Sequence, residues 1–213
     1  MRSTPPLFAL ALAISAPAVA TEVVPVQPFR AVELRGGGEV TLVPGPIQRV
    51  TILNGSSRFT HVYLRRDGQL RIDACNEECP QHYNLQIRIE SPRAPDVAIA
   101  GGGSIVASPG FEPQNKLAAA IQGGGMIDVR SILATDVSAA VDGGGRILVR
   151  PRATLSAAVH GGGDIRYAGD PQVSMAVAGG GDVRRDHQAG RSTTSTRSRV
   201  NLSPAVSSAR KAL

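Results

Sequence analysis

The chain has 213 residues, of which 24 are Gly, four Phe, three Tyr and none Trp. With 42% hydrophobic and 19% charged residues it can bury a core of Val, Ile, Leu and Ala, but its Gly content excludes long helices over most of its length, each interior Gly costing about 1 kcal/mol relative to Ala, and the grouping of Gly in triplets excludes collagen. Taking Arg2, Arg191, Arg197, Arg199, Arg210 and Lys211 from the 23 basic residues leaves 17 against 17 acidic ones for residues 21–186, so the formal charge of +6 belongs to the ends, and no basic stripe interleaved with aromatics invites nucleic acid.

Residues 1–20 read as a secretory signal peptide. Arg2 supplies the positive start, Leu7 to Ile14 form an apolar run, and Ala18-Val19-Ala20 offers a small-x-small cleavage site before Thr21. The run is too short to span a bilayer, no Cys follows it to carry a lipid, and no later segment reaches transmembrane length. The mature chain is therefore expected to be exported, to the periplasm, the cell surface or the medium, without a transmembrane anchor.

Residues 21–95 carry period-two alternation at Val50/Ile52, Leu70/Ile72/Ala74 and Leu85/Ile87/Ile89, punctuated by Pro44-Gly45-Pro46 and Asp67-Gly68. The pattern predicts an N-terminal antiparallel β region. A two-residue turn at Asp67-Gly68 would set Leu70 and Ile72 against Arg65 and Tyr63; setting them against Leu64 and Val62 requires a bulge or a longer loop. Cys75 and Cys79 are the two cysteines, and an even count in an exported chain predicts a disulfide at a hairpin end, worth about 2 kcal/mol for so short a loop. Their spacing is not Cys-x-x-Cys. The alternative is zinc held by Cys75, Cys79 and His82 with Glu77 or Glu78, a set that lacks a second cysteine pair.

Residues 96–186 are dominated by a repeat. Its Gly triplets are Gly101-Gly102-Gly103, Gly123-Gly124-Gly125, Gly143-Gly144-Gly145, Gly161-Gly162-Gly163 and Gly179-Gly180-Gly181, with an earlier copy at Gly36-Gly37-Gly38. Two residues before each triplet stand Leu34, Ile99, Ile121, Val141, Val159 and Val177; two residues after stand Val40, Ile105, Ile127, Ile147, Ile165 and Val183. All are apolar, while the immediate flanks are mostly polar. Alternation of this kind on both sides of a fixed Gly corner predicts strand, corner, strand. Starts at 101, 123, 143, 161 and 179 give a period of about 18–22 residues, the signature of a β-solenoid of β-helix type. The structural glycines would serve corners with positive φ or close approach between layers. Ala118 to Ala120, Ala139-Ala140 and Ala157-Ala158 would fill a narrow interior.

The triplets do not read as ligand loops. None is followed by Lys-Ser/Thr or opens a helical pattern, as a phosphate loop requires. Gly-Gly-Gly-Asp at 161–164 and 179–182 touches on a calcium roll, but the second half-period lacks the matching glycine-aspartate motif. No metal or other cofactor is expected. In a stack the flanks place His160 beside Asp142 and Asp164 beside Asp182, with Arg146 on the far side of Asp164. Neighbouring carboxylates could share a proton and act on a glycan, so Asp142, His160, Asp164 and Asp182 are the catalytic candidates; against them, Asp beside Gly is ordinary turn chemistry. Residues 187–213, rich in Ser, Thr and Arg and without apolar periodicity, read as a disordered basic tail.

Pro28-Phe29-Arg30-Ala31-Val32-Glu33-Leu34, followed by the Gly-Gly-Gly-Glu-Val-Thr-Leu-Val-Pro-Gly run at 36–45 and then by the Gly-rich strand repeats, resembles the autotransporter adhesin head GIN domain family, bacterial exported domains of unknown function. The resemblance covers one continuous domain of about residues 27–186 and implies an all-β, solenoid-like fold at the cell envelope. The 27 residues beyond Asp186 are too few for a membrane barrel. Two functions follow as expectations: a non-enzymatic, adhesin-like binding or structural protein whose partner is a cell-envelope or extracellular glycan or protein, or a polysaccharide-acting enzyme using the Asp/His column. Phe111 and Tyr167 are few aromatics for sugar platforms and favour the first. Strand edges at the ends of a stack leave a homo-oligomer open.

Overall fold

The computed structural model describes residues 21–186; the signal-peptide and tail readings lie outside the described residues. Among these the chain is all-β, with no helix. The strands are β1 (Glu22–Val24), β2 (Ala31–Arg35), β3 (Glu39–Pro44), β4 (Arg49–Asn54), β5 (His61–Leu64), β6 (Gln69–Asp73), β7 (Gln86–Ser91), β8 (Asp96–Gly101) and β9 (Ser104–Ala107). They continue as β10 (Gln114–Gly123), β11 (Met126–Asp128), β12 (Ala134–Gly143), β13 (Arg146–Val149), β14 (Pro151–Gly161), β15 (Asp164–Tyr167), β16 (Gln172–Ala178) and β17 (Asp182–Arg185).

Two open mixed sheets result. One has the order β1-β4-β7-β3-β9-β11-β13-β15-β17, the other β16-β14-β12-β10-β8-β2-β6-β5. Each Gly triplet joins a strand of the second sheet to one of the first, and successive units pair in parallel with equivalent residues in register: Ile99, Ile121, Val141, Val159 and Val177 form one ladder, Ile105, Ile127, Ile147, Ile165 and Val183 another. Alternation dictates this register, because a slip of one residue would turn every apolar side chain outward. The two inner faces meet in one core, where Ile105, Ile127, Ile147 and Ile165 are fully buried.

The antiparallel expectation for residues 21–95 is corrected. Antiparallel pairing is confined to β1 with β4, β4 with β7 and β5 with β6. Strands β2 and β3, which flank Gly36-Gly37-Gly38, pair in parallel with β8 and β9 on one side and with β6 and β7 on the other. Alternation fixes which face a strand buries but not the direction of its neighbour. The wide gap between the first and second triplets arises because β4 to β7 leave the unit of β2 and β3 and complete the stack beyond it before β8 returns.

The turn after β5 follows the hydrophobic face. Val62 pairs with Ile72 and Leu64 with Leu70, and a three-residue loop accommodates this: Arg65 N donates to Gln69 O (2.9 Å), Gly68 N donates to Arg65 O (3.1 Å), and Gly68 has φ +79°. The longer loop expected from the sequence is present.

Candidate functional site

The corners explain most of the Gly column. At Gly143 φ is +124°, and a Cβ there would lie 2.5 Å from Gly123 O in the adjacent unit. A Cβ on Gly145 would lie 2.6 Å from Ile121 Cγ2 and 2.8 Å from Gly125 O. Close approach is what the inter-unit bonds require, Gly144 N donating to Gly123 O and Arg146 N to Gly125 O, each at 2.9 Å. The middle glycine is different: nothing lies within 4 Å of a Cβ on Gly144. Two of the three glycines are therefore required by packing and the middle one is not.

Asp142, His160, Asp164 and Asp182 form two separate pairs. Asp142 and His160 are register partners on β12 and β14, before the corner, with His160 Nδ1 at 3.2 Å from Asp142 Oδ1 and both side chains mostly exposed. Asp164 and Asp182 are partners on β15 and β17, after the corner, in the other sheet. Each has its own guanidinium: Arg146 Nη2 lies 3.0 Å from Asp164 Oδ2, and Arg184 Nη1 lies 3.2 Å from Asp182 Oδ2. A carboxylate matched by Arg has no reason to share a neighbour's proton. The register predicted from the repeat is present, and the four side chains do not converge on one point.

Cys75 and Cys79 are joined in a disulfide with Cα atoms 5.6 Å apart, so neither is a thiolate for zinc, and the Cys75/Cys79/His82 alternative is set aside. The bridged loop, between β6 and β7, occupies the place that a Gly triplet holds in the other units. Ala74 N donates to Arg35 O, and Glu39 N to Leu85 O. Tyr83 knits this loop to the one after β4, its hydroxyl accepting from Ser56 N at 2.8 Å and lying 2.8 Å from Thr60 Oγ1, with Phe59 packed edge-on at 5.6 Å.

A hollow of about 680 Å³ lies along the outer face of the second sheet. Its floor is a register ladder of Ala98, Ala120, Ala140, Ala158 and Ala176. Beside it run Ala100, Gln122, Asp142, His160 and Ala178 on one flank and Ala118, Ser138, Ser156 and Ser174 on the other. This corrects the reading of the Ala runs as interior. Ala119, Ala139 and Ala157 are buried, whereas Ala118, Ala120, Ala140 and Ala158 face solvent. The signal was legible, since position −3 from a triplet shares the parity of the polar position −1.

At one end of this face sits an ionic cluster that the sequence reading missed. Glu33, the register partner of Ala98, accepts from Arg71 Nε and Nη2 at 3.0 and 2.9 Å, with Arg35 Nε at 3.8 Å and Arg65 Nη1 at 3.9 Å. Hydrogen bonding with Tyr63, and then with Glu33, pushes the Arg71 guanidinium still higher. Its members come from β2, β6 and the loop after β5, and only the non-local pairing of β2 with β6 brings them together. No group of three or more His, Cys, Asp or Glu able to hold a metal occurs among the described residues.

Residues 96–171 match the family model described as "Putative auto-transporter adhesin, head GIN domain". No curated protein matches the chain. Among solved structures, the chain is similar to a putative adhesin from Bacteroides fragilis (16% identity, TM-score 0.46, 78% of this chain and 96% of that one). It is also similar to a putative lipid binding protein from Parabacteroides distasonis (15%, TM-score 0.33, 78% and 96%) and to a putative adhesin from Parabacteroides merdae (14%, TM-score 0.31, 78% and 95%). At these scores the neighbours bear on neither ligand nor mechanism.

Proposed function

We propose that this chain, whose residues 96–171 match the model of the auto-transporter adhesin head GIN domain family, is an exported, non-enzymatic β-solenoid that binds a cell-envelope or extracellular glycan or protein through the outer face of its second sheet. The solenoid reading is supported by the in-register parallel ladders and by corners that repeat with the Gly triplets. Export to the periplasm or cell surface rests on the signal-like residues 1–20 and on the disulfide, which is at home in an oxidising compartment. No helix of the described residues is long and apolar enough to cross a membrane.

The observation that carries the binding role is the flat Ala ladder, exposed over several strands with Gln122, Asp142 and His160 along one side. Small side chains let a partner approach the sheet closely and lose little rotamer entropy when covered. The separate Arg partners of Asp164 and Asp182 argue against an acid/base pair, which would need one carboxyl held protonated. The test is retention of the protein on a glycan array and on isolated cell envelopes, with cleavage products followed in parallel. Retention lost in Ala140→Arg, and unchanged in Asp164→Asn/Asp182→Asn, is expected. Cleavage abolished by that double variant would establish a polysaccharide-acting enzyme instead.

A further inference from the structure

The last unit of the stack exposes residues that are interior everywhere else. On β16, Val173, Met175 and Val177 are the register partners of Leu155, Ala157 and Val159 on β14, all buried and inward-facing. Yet Met175 is 60% and Val177 44% exposed. Strand β16 pairs with β14 alone and β17 with β15 alone, so both carry an edge that no described residue covers. A flat apolar edge of this kind is a template for another strand.

The two edges are not equivalent. Strand β17 bears Asp182 paired with Arg184, and places Arg185, which pairs with Asp170, at the position that Tyr167 holds in the preceding unit. Charge at an inward position blunts a sheet edge. By contrast Gln172-Val173-Ser174-Met175-Ala176-Val177-Ala178 contains no charged residue. It is also close to palindromic about Met175, with Val on both sides at ±2 and a small residue on both sides at ±1.

That symmetry identifies the occupant. We propose that β16 pairs with β16 of a second copy of this chain, antiparallel and centred on Met175, about a two-fold axis perpendicular to the second sheet. In this register Val173 lies opposite Val177 of the second copy, Ser174 opposite its Ala176 and Met175 opposite its Met175. Every inward side chain of one copy then meets an inward side chain of the other, and the two outer Ala/Ser faces run on as one surface. A two-fold makes the contact self-complementary and closed, giving a dimer and not a fibre. The inference rests on the strand edge and not on the proposed ligand.

Three variants of the full chain test it. On the axis, the Cα atoms of the two Met175 residues would be about 4.5–5.5 Å apart, within disulfide reach, whereas the two Ser174 residues, offset diagonally, would be about 7–8 Å apart. Light-scattering mass should show a dimer. Met175→Cys should form a covalent dimer under mild oxidation, Ser174→Cys should not, and Met175→Arg should halve the mass with the β circular dichroism spectrum retained. A monomeric full chain, equal cross-linking by both cysteine variants, or a dimer that survives Met175→Arg would each overturn the proposal.

Discussion

At the β5 end of the stack, Leu70 and Ile72 are completely buried, while at the β16 end the same inward phase leaves Met175 mostly and Val177 nearly half exposed. The first end is finished by sequence that does not repeat. Strand β5 lies antiparallel on β6, β1 lies antiparallel on β4, and the disulfide loop takes the place of a Gly corner. Reversing strand direction also ends the repeat's ability to add units there, because the next strand no longer presents an equivalent edge. Among the described residues the second end stops with the repeat itself. A stack of this kind generates its core by repetition, and repetition cannot close it.

The largest expected effect lies at the capped end. Leu70→Ala should cost about 2–5 kcal/mol in denaturant unfolding, as for a fully buried Leu, whereas Val177→Ala, half-exposed, should cost about 1 kcal/mol or less. Equal losses would break the contrast between the ends. The middle of the stack comes next: Gly145→Ala drives a Cβ toward Ile121 and a backbone carbonyl, and should cost about 3 kcal/mol, while Gly144→Ala should stay within about 0.5 kcal/mol. A similar loss at both would show that the corners are held by backbone flexibility and not by close approach.

Replacing both Cys75 and Cys79 by Ser should remove about 2 kcal/mol, a fall of about 4–8 °C in Tm for a domain of this size. Two free thiols in untreated wild-type protein would contradict the bridge. The smallest effect concerns the tie between β1 and the loop after β4. Glu22 accepts from Ser57 N at 3.1 Å, and hydrogen bonds from Ser57 hold its carboxyl below the ordinary value. The stabilisation from a depressed carboxyl is complete above the unfolded value and is lost as pH falls through the folded one. Glu22→Gln should therefore lower stability slightly at neutral pH, leave it almost unchanged at acid pH below the folded value, and so flatten the acid side of the profile, as thermal melts across that range would show.

How much of this was legible depended on whether the information was local. The inward phase of Leu34 to Val177 and of Val40 to Val183, the Asp142/His160 and Asp164/Asp182 partnerships, and the longer loop before Leu70 all follow from alternation and spacing. Strand direction around β2 and β3 does not, because Val32 has Leu70 on one side and Val97 on the other, and no local pattern announces either. The Glu33 cluster was hidden for the same reason. The Ala ladder was open to view but misassigned, since small apolar residues suit an interior and an exposed flat sheet equally well, and only parity separates them.

The placement of β2 and β3 between two later units also sets an order of assembly. Units from β10 onward each dock on the one just before, so loop closure adds little entropy at each step. The first-synthesised strands must instead wait for β6 and β7 on one flank and β8 and β9 on the other, contacts of much greater sequence separation and hence slower formation. A chain threading out amino-terminus first would remain open until about Ala107 had emerged, and would then close as a clasp around its own beginning, with the remaining units added in sequence like courses of brick.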